Sequence, residues 1–252
     1  MGWKKQRRMS RSAAVYIPLG ALIIVLLVIF GTSGFLRVTE IVVNGATKYS
    51  DDDVVAFSGI SPGDNLLFLD VRAAGRRIQV ALPYISTARV TRVPPDKIRI
   101  EVRESTAIAS LGFRDEFLLI DSTGRVLERT ETASADLIEV LGINPSEVDE
   151  GSQLRVAQGG EMQLQYMLDV LSAIERTGIQ DDVSYLDVST IAEISFGYLE
   201  RFKVVLDSLN NLRQNLGSLQ RAIERLEERD SAITTGTWRP EADGDWRWIP
   251  DY

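Results

Sequence analysis

Between Ala13 and Phe30 the chain runs 18 residues without a charged side chain, ending in the block Leu22-Ile23-Ile24-Val25-Leu26-Leu27-Val28-Ile29-Phe30. With Gly31 to Phe35 added, a helix rising ~1.5 Å per residue is long enough to cross roughly 30 Å of hydrocarbon. No face of the run is polar, which argues against a helix half-buried on a globular domain. A cleaved signal peptide would have an apolar region of ~7–15 residues followed by a small-x-small site. This run is longer, and Gly31-Thr32-Ser33-Gly34 fits such a site poorly. The expectation is a retained transmembrane helix over 13–34, with Pro18 and Gly20 near its cytoplasmic end, where they are tolerated.

Charge sets its direction. Lys4, Lys5, Arg7, Arg8 and Arg11 precede or open the run and no acid lies among the first 35 residues, so the 1–12 tail belongs in the cytoplasm. Of the chain's 28 basic residues 23 then remain, against all 36 acidic ones, a net of −13. An ectodomain of that charge is expected to be repelled by nucleic acid and by anionic lipid surfaces. Cysteine and histidine are absent. Disulfides, thiolate or imidazole metal sites and histidine- or cysteine-dependent nucleophiles are thereby excluded. A hydrophobic share of 44% with 25% charged residues suits a folded chain.

Residues 35–44 read as a strand whose apolar pairs Leu36/Val38 and Ile41/Val43 differ in phase, which suggests a bulge. Ser50 with Asp53 matches a capping box opening a helix over 51–58, with Gly59 as its stop. Asp70 is the expected N-cap of a second helix, apolar at Val71, Ala74, Ile78 and Leu82 and ended by Pro83. Strands follow at 84–93 and 97–103, about the turn Pro94-Pro95-Asp96. In the second, Ile98, Ile100 and Val102 alternate with charged residues. The order is β-α-α-β-β.

A second unit begins near Ser105. It is expected to hold a hairpin about Asp121-Ser122-Thr123-Gly124, a strand at 137–141 and a helix at 162–176. Strands at 183–188, 193–196 and 202–206 follow. The helix predicted over 208–229 carries Leu209, Leu212, Leu216, Leu219, Ile223 and Leu226 in steps of three and four. With fewer than three heptads, it reads as packed on a sheet rather than as a coiled coil. A strand at 232–238 (Ile233, Thr235, Trp238) is a candidate edge for a partner strand, as is the last strand of the first unit. The segment 237–252, with Trp246 and Trp248 among acids, reads as a flexible tail that could also serve as a docking segment.

No P-loop, GxGxxG or GxSxG motif is present. The acidic clusters, Asp51-Asp52-Asp53 among them, fall at caps and loops, where acids are ordinary. Asp121-x-x-Gly124 and Asp149-x-Gly151 lack the ligand spacing of an EF-hand. Neither an enzyme nor a cofactor or metal site is expected.

Phe35-Leu36-Arg37-Val38-Thr39-Glu40-Ile41-Val42-Val43-Asn44-Gly45 and Gly59-Ile60-Ser61-Pro62-Gly63-Asp64-Asn65-Leu66 resemble segments of the FtsQ/DivIB family of bacterial cell-division proteins. Leu82-Pro83-Tyr84-Ile85, Ala88–Arg92, Pro94 and Ile98–Val102 resemble that family's POTRA domain. Leu119–Val126 and Leu186–Ser189 are similar to its β domain. The family's Glu-Arg-x-Pro after the last POTRA strand is Arg103-Glu104-Ser105-Thr106 here. The resemblance implies an α+β ectodomain with a POTRA-like domain over 35–104, marked by Asn44, Gly45, Gly63, Leu82, Pro83, Tyr84 and Pro94, and a β domain over 105–236. It also implies a non-catalytic divisome scaffold in the cell membrane at the septum. Its implied partners are FtsL-like and FtsB/DivIC-like coiled-coil membrane proteins, the latter pairing with the last β-domain strand, with no nucleic acid and no small-molecule substrate. A POTRA module for polypeptide secretion and a membrane-anchored cell-wall enzyme are the rival readings. The first usually repeats the module ahead of a barrel of ~10-residue alternating strands, and this chain has neither.

Overall fold

A computed structural model describes residues 11–32, 36–146, 149–206, 212–229, 235–241 and 245–250. Helix α1 runs Arg11–Thr32, 22 residues, its one proline at Pro18. The large apolar side chains Leu22 to Ile29 are all exposed. Side chains of α1 are described over 16–29 only, and among the residues so described no helix is long and apolar enough to cross a membrane.

The rest divides into two compact units. One holds the residues up to Ile78 together with Thr87–Glu104; the other holds Gln79–Ser86 and everything from Ser105 on. The first is built on β1 (Glu40–Asn44), α2 (Asp51–Ser58), most of α3 (Val71–Ala81), most of β2 (Ile85–Val93) and β3 (Lys97–Glu104). Helix α2 starts where its cap dictates: Ser50 accepts from the Asp53 amide while the Asp53 carboxylate accepts from Ser50. Gly59 closes it in the left-handed region. Asp70 caps α3 by accepting from the Arg72 and Ala73 amides at 3.1 and 3.0 Å. Ala74 and Ile78 of α3 and Val54 of α2 are buried, as are Ile98 and Ile100 of β3. Each large aliphatic so buried contributes about 1.5–3 kcal/mol of transfer free energy.

Two expectations for this unit are corrected. The strand predicted over 35–44 is two separate pairings: Arg37 bridges to Asn65, and only Glu40–Asn44 joins the sheet. The phase change marks a switch of partner and not a bulge. The sheet order is β1-β3-β2, with β1 parallel to β3. The last strand of the unit is therefore central, and both of its edges are used.

The second unit carries nine strands in the order β12-β11-β10-β9-β8-β7-β4-β5-β6. They are β4 (Ala109–Phe113), β5 (Glu116–Ile120), β6 (Val126–Thr130), β7 (Ile138–Leu141), β8 (Val183–Asp187), β9 (Ile194–Tyr198), β10 (Phe202–Leu206), β11 (Gly236–Pro240) and β12 (Trp246–Pro250). Helix α4 (Glu161–Thr177) joins the parallel pair β7 and β8, and α5 (Leu212–Arg229) joins the parallel pair β10 and β11. Parallel neighbours need such crossovers. Met167, Leu171 and Ile174 of α4 share one buried core with Leu216, Leu219 and Ile223 of α5 and with Phe196 and Val204 of the sheet. The three-and-four spacing of α5 is thus a core stripe. Leu209 lies outside the described residues.

Strand β4 was not expected, because Ala109, Ser110 and Gly112 give it little apolar alternation. The larger correction is at the end. Over 237–252, read as a flexible tail, β11 and β12 pair antiparallel from Gly236↔Pro250 to Pro240↔Trp246. Trp246 and Trp248, two residues apart, share one face of a strand in spite of the acids that flank them.

Gly45 adopts φ +90, and a β-carbon there would stand 2.2 Å from the Val102 carbonyl oxygen. Gly45→Ala is expected to cost more than about 2 kcal/mol in chemical unfolding, through strain and backbone collision together. Glu104 ends β3 and accepts from the Thr47 hydroxyl and from the Thr47 and Lys48 amides. Partial burial raises its pKa, but these hydrogen bonds outweigh that and hold it below the ordinary 4.5. A lowered folded pKa means this stabilisation is complete above that ordinary value and is lost as pH falls through the lowered one. Glu104→Gln is expected to cost about 1 kcal/mol at neutral pH. Urea melts in acid should show the gap between variant and native chain closing; a gap independent of pH would contradict this assignment.

Candidate interaction edge

The exposed margins of the nine-stranded sheet are β12 and β6. On β12, alternation decides what faces out. The Glu241 amide donates to the Asp245 carbonyl at 2.7 Å, which makes 241/245 a hydrogen-bonded pair. Down the same register 239/247 and 237/249 are bonded too. The backbone groups of Trp246, Trp248 and Pro250 then point away from β11. Proline lacks an N–H, so this margin offers two donors and three carbonyl acceptors.

Its side chains are anchored on one face only. Trp246 Nε1 donates to Asn215 O at 3.1 Å and to Ser218 Oγ at 2.9 Å, tying β12 to α5. Trp248 lies over Gly236, where a β-carbon would meet its Nε1 at 2.3 Å, so only glycine fits beneath the ring. Trp238 is 2% exposed and meets Phe202 edge to face at 6.1 Å. A cavity of about 340 Å³ opens among Leu226, Trp238, Trp246 and Trp248, with Arg225 and Asp245 at its mouth, 3.6 Å apart. The buried indole N–H groups of Trp238 and Trp248 find no acceptor among the described residues. An apolar group carrying an oxygen acceptor would suit this cavity. On the opposite face Glu193 binds Lys203 at 3.3 Å and Arg239 at 3.5 Å, across β10 and β11. The hydrogen bond and charge of Lys203, then the charge of Arg239, hold its carboxyl below the usual range.

The residues singled out in the sequence fall into two groups. Of the edge candidates, Trp238 is buried and its strand is paired on both sides, by β10 and β12. Thr235 is exposed just before β11, and Ile233 lies outside the described residues. Sequence reasoning missed β12, although the alternation Trp246-Arg247-Trp248-Ile249 is its signal. The POTRA motif residues serve the fold. Asn44 sits opposite Glu101, and the Gly63 amide donates to Val38 O at 2.7 Å. Leu82 is buried, Pro83 O accepts from Arg125 Nε at 2.8 Å, and the Tyr84 hydroxyl donates to Glu128 at 2.7 Å. Pro94 joins Pro95 through a cis bond in the β2–β3 turn.

Among the described residues no group of three or more His, Cys, Asp or Glu side chains is arranged to hold a metal ion. What these units define is a POTRA-bearing protein, and the FtsQ-type POTRA domain family matches residues 36–105. The cell division protein FtsQ of Syntrophotalea carbinolica is 30% identical over 50% of this chain and 44% of its own length. That of Corynebacterium glutamicum is 33% identical over 52% and 57%. FtsQ of Anaeromyxobacter sp. is 27% identical over 89% and 79%. The chain thus spans about half the length of the first two relatives. These likenesses, to the FtsQ-type domain and to FtsQ proteins, support the FtsQ/DivIB family. The major extracytoplasmic domain of DivIB from Geobacillus stearothermophilus aligns with 52% of this chain and 98% of that one, at 15% identity and a TM-score of 0.30. A likeness so slight has no bearing on the fold.

Trp238→Ala is expected to destabilise the second unit by about 3–5 kcal/mol, as loss of a core aromatic. Trp246→Phe should cost only about 1 kcal/mol, for the lost indole hydrogen bonds. Thermal unfolding of the two variants checks the order. Equal losses would place Trp238 outside the core.

Proposed function

We propose that this chain is a non-catalytic cell-division scaffold that binds a partner's strand along β12. The open margin of β12 carries the reading. Two outward N–H groups and three outward carbonyls form a template for strand addition, and tryptophans fixed on α5 hold it rigid. Relatives named as cell division proteins supply the process. Helix α1 is the membrane anchor, with the basic tail inside and both folded units outside, at the septum. Support for this comes from its 22 residues, its exposed apolar side chains and the five cations at its start. The partners are an FtsL-like and an FtsB/DivIC-like coiled-coil membrane protein, the second supplying the strand.

Trp248→Pro tests the edge. It removes an outward donor while leaving the β11–β12 ladder intact, a position where proline is tolerated. Trp248→Phe controls for the side chain. In co-purification of the full chain with the two coiled-coil proteins, the proline variant is expected to bind at least about tenfold more weakly, roughly 1.4 kcal/mol. The phenylalanine variant should bind nearly as the native chain does. Equal binding by all three would remove β12 as the contact. A fluorescent fusion spread evenly over the membrane of dividing cells, with no septal band, would remove the division role.

A further inference from the structure

Residues 64–69 form a tight turn that presents two large apolar side chains to solvent. Leu67 is 52% and Phe68 76% exposed. The turn is not loose. The Leu67 amide donates to Asn65 Oδ1 at 3.0 Å and the Phe68 amide to Asn65 O at 3.1 Å. Beneath it the Arg92 guanidinium donates to the carbonyls of Leu66, at 2.8 Å, and Leu69, at 2.5 Å. Leu66 itself is buried, which leaves its two successors facing outward. A rigid backbone that exposes adjacent Leu and Phe marks a contact surface.

Its place in the chain identifies the contact. The Leu66 amide donates to Leu36 O at 2.8 Å, the Val38 amide to Asp64 O at 2.9 Å, and Arg37 to Gly63 O at 2.9 Å. Leu36 is four residues past Thr32, the end of α1. Four residues reach at most about 14 Å, so the turn is tethered within roughly 20 Å of the helix end. Charge permits the approach. Residues 36–104 carry ten basic and nine acidic side chains, and the acidic excess of the ectodomain falls on 105–252, with 13 basic and 27 acidic. The repulsion from anionic lipid expected of the whole ectodomain therefore does not apply to this unit.

We propose that Leu67 and Phe68 insert into the interfacial region of the outer leaflet, a second foothold that fixes the first unit against the membrane that α1 spans. The inference rests on the reading of α1 as the anchor. An apolar pair at such a tip buries itself about 5–10 Å deep, at the boundary of headgroups and acyl chains. Arg37 and Arg92, just behind the tip, meet the phosphates.

The chain has no cysteine, so single labels can be placed freely. Full-length Val25→Cys, Leu67→Cys and Ala133→Cys, each carrying an environment-sensitive fluorophore, would be reconstituted in phosphatidylcholine vesicles with shallow spin-labelled lipid. The label at 67 is expected to shift to the blue and to be quenched at least about twofold, an interfacial depth. The label at 133 should be unaffected, and adding Phe68→Ser should relieve the quenching at 67. Quenching at 25 without quenching at 67, or quenching at 67 indifferent to Phe68→Ser, overturns the foothold and leaves the anchor standing. A label at 25 that lipid does not quench overturns the anchor, and the foothold with it.

Discussion

Parallel pairing of β10 with β11 is the constraint on which the β12 margin depends. A parallel neighbour cannot be reached by a tight turn, so the chain must cross the sheet between them, and α5 is that crossing. In crossing, it lays Leu216, Leu219 and Ile223 on the core, and Trp238 closes that core from the sheet. The chain then turns back, and β12 becomes the margin. Trp246 is fastened to α5, so one helix both fills the core and stiffens the edge.

The first unit solves a different problem with the same elements. Its last strand enters between β1 and β2, burying the alternating Ile98, Ile100 and Val102 where both neighbours bond to β3. That leaves β1 and β2 as margins and directs the residues before β1 toward the turn at 64–66 instead of into the sheet. The tie between this turn and the residues that follow α1 is a consequence of this switch of partner. Family-like residues such as Gly45 and Leu82 serve these backbone and packing requirements, which explains why they mark the fold and do not line a contact surface.

The proposed role draws on three parts of the sequence in turn: α1, the first unit, and the strand margin of the second. Acidic charge lies on the unit that carries the margin and is nearly balanced on the module nearest α1. In the proposed reading this difference suits the two units to different neighbours, protein for one and the lipid surface for the other.

Local rules sufficed for much of this. The length and uncharged character of 13–30, the cations before it, the Ser50–Asp53 cap and the alternation of 97–103 are each set by residues close in sequence, and so were legible in it. The stripe of α5 was legible as well, since three-and-four spacing fixes a buried face whatever it packs on. Which strands lie side by side was not. Alternation says which face is buried, whereas lateral pairing joins backbone groups far apart in the chain, which look alike in every residue but proline. Tertiary structure alone therefore placed β3 at the centre of its sheet, enclosed Trp238, made β12 the margin, and left Leu67 and Phe68 uncovered. The end of the chain read as a tail became the last two strands, because Gly236 admits Trp248 against it and α5 holds Trp246 from above.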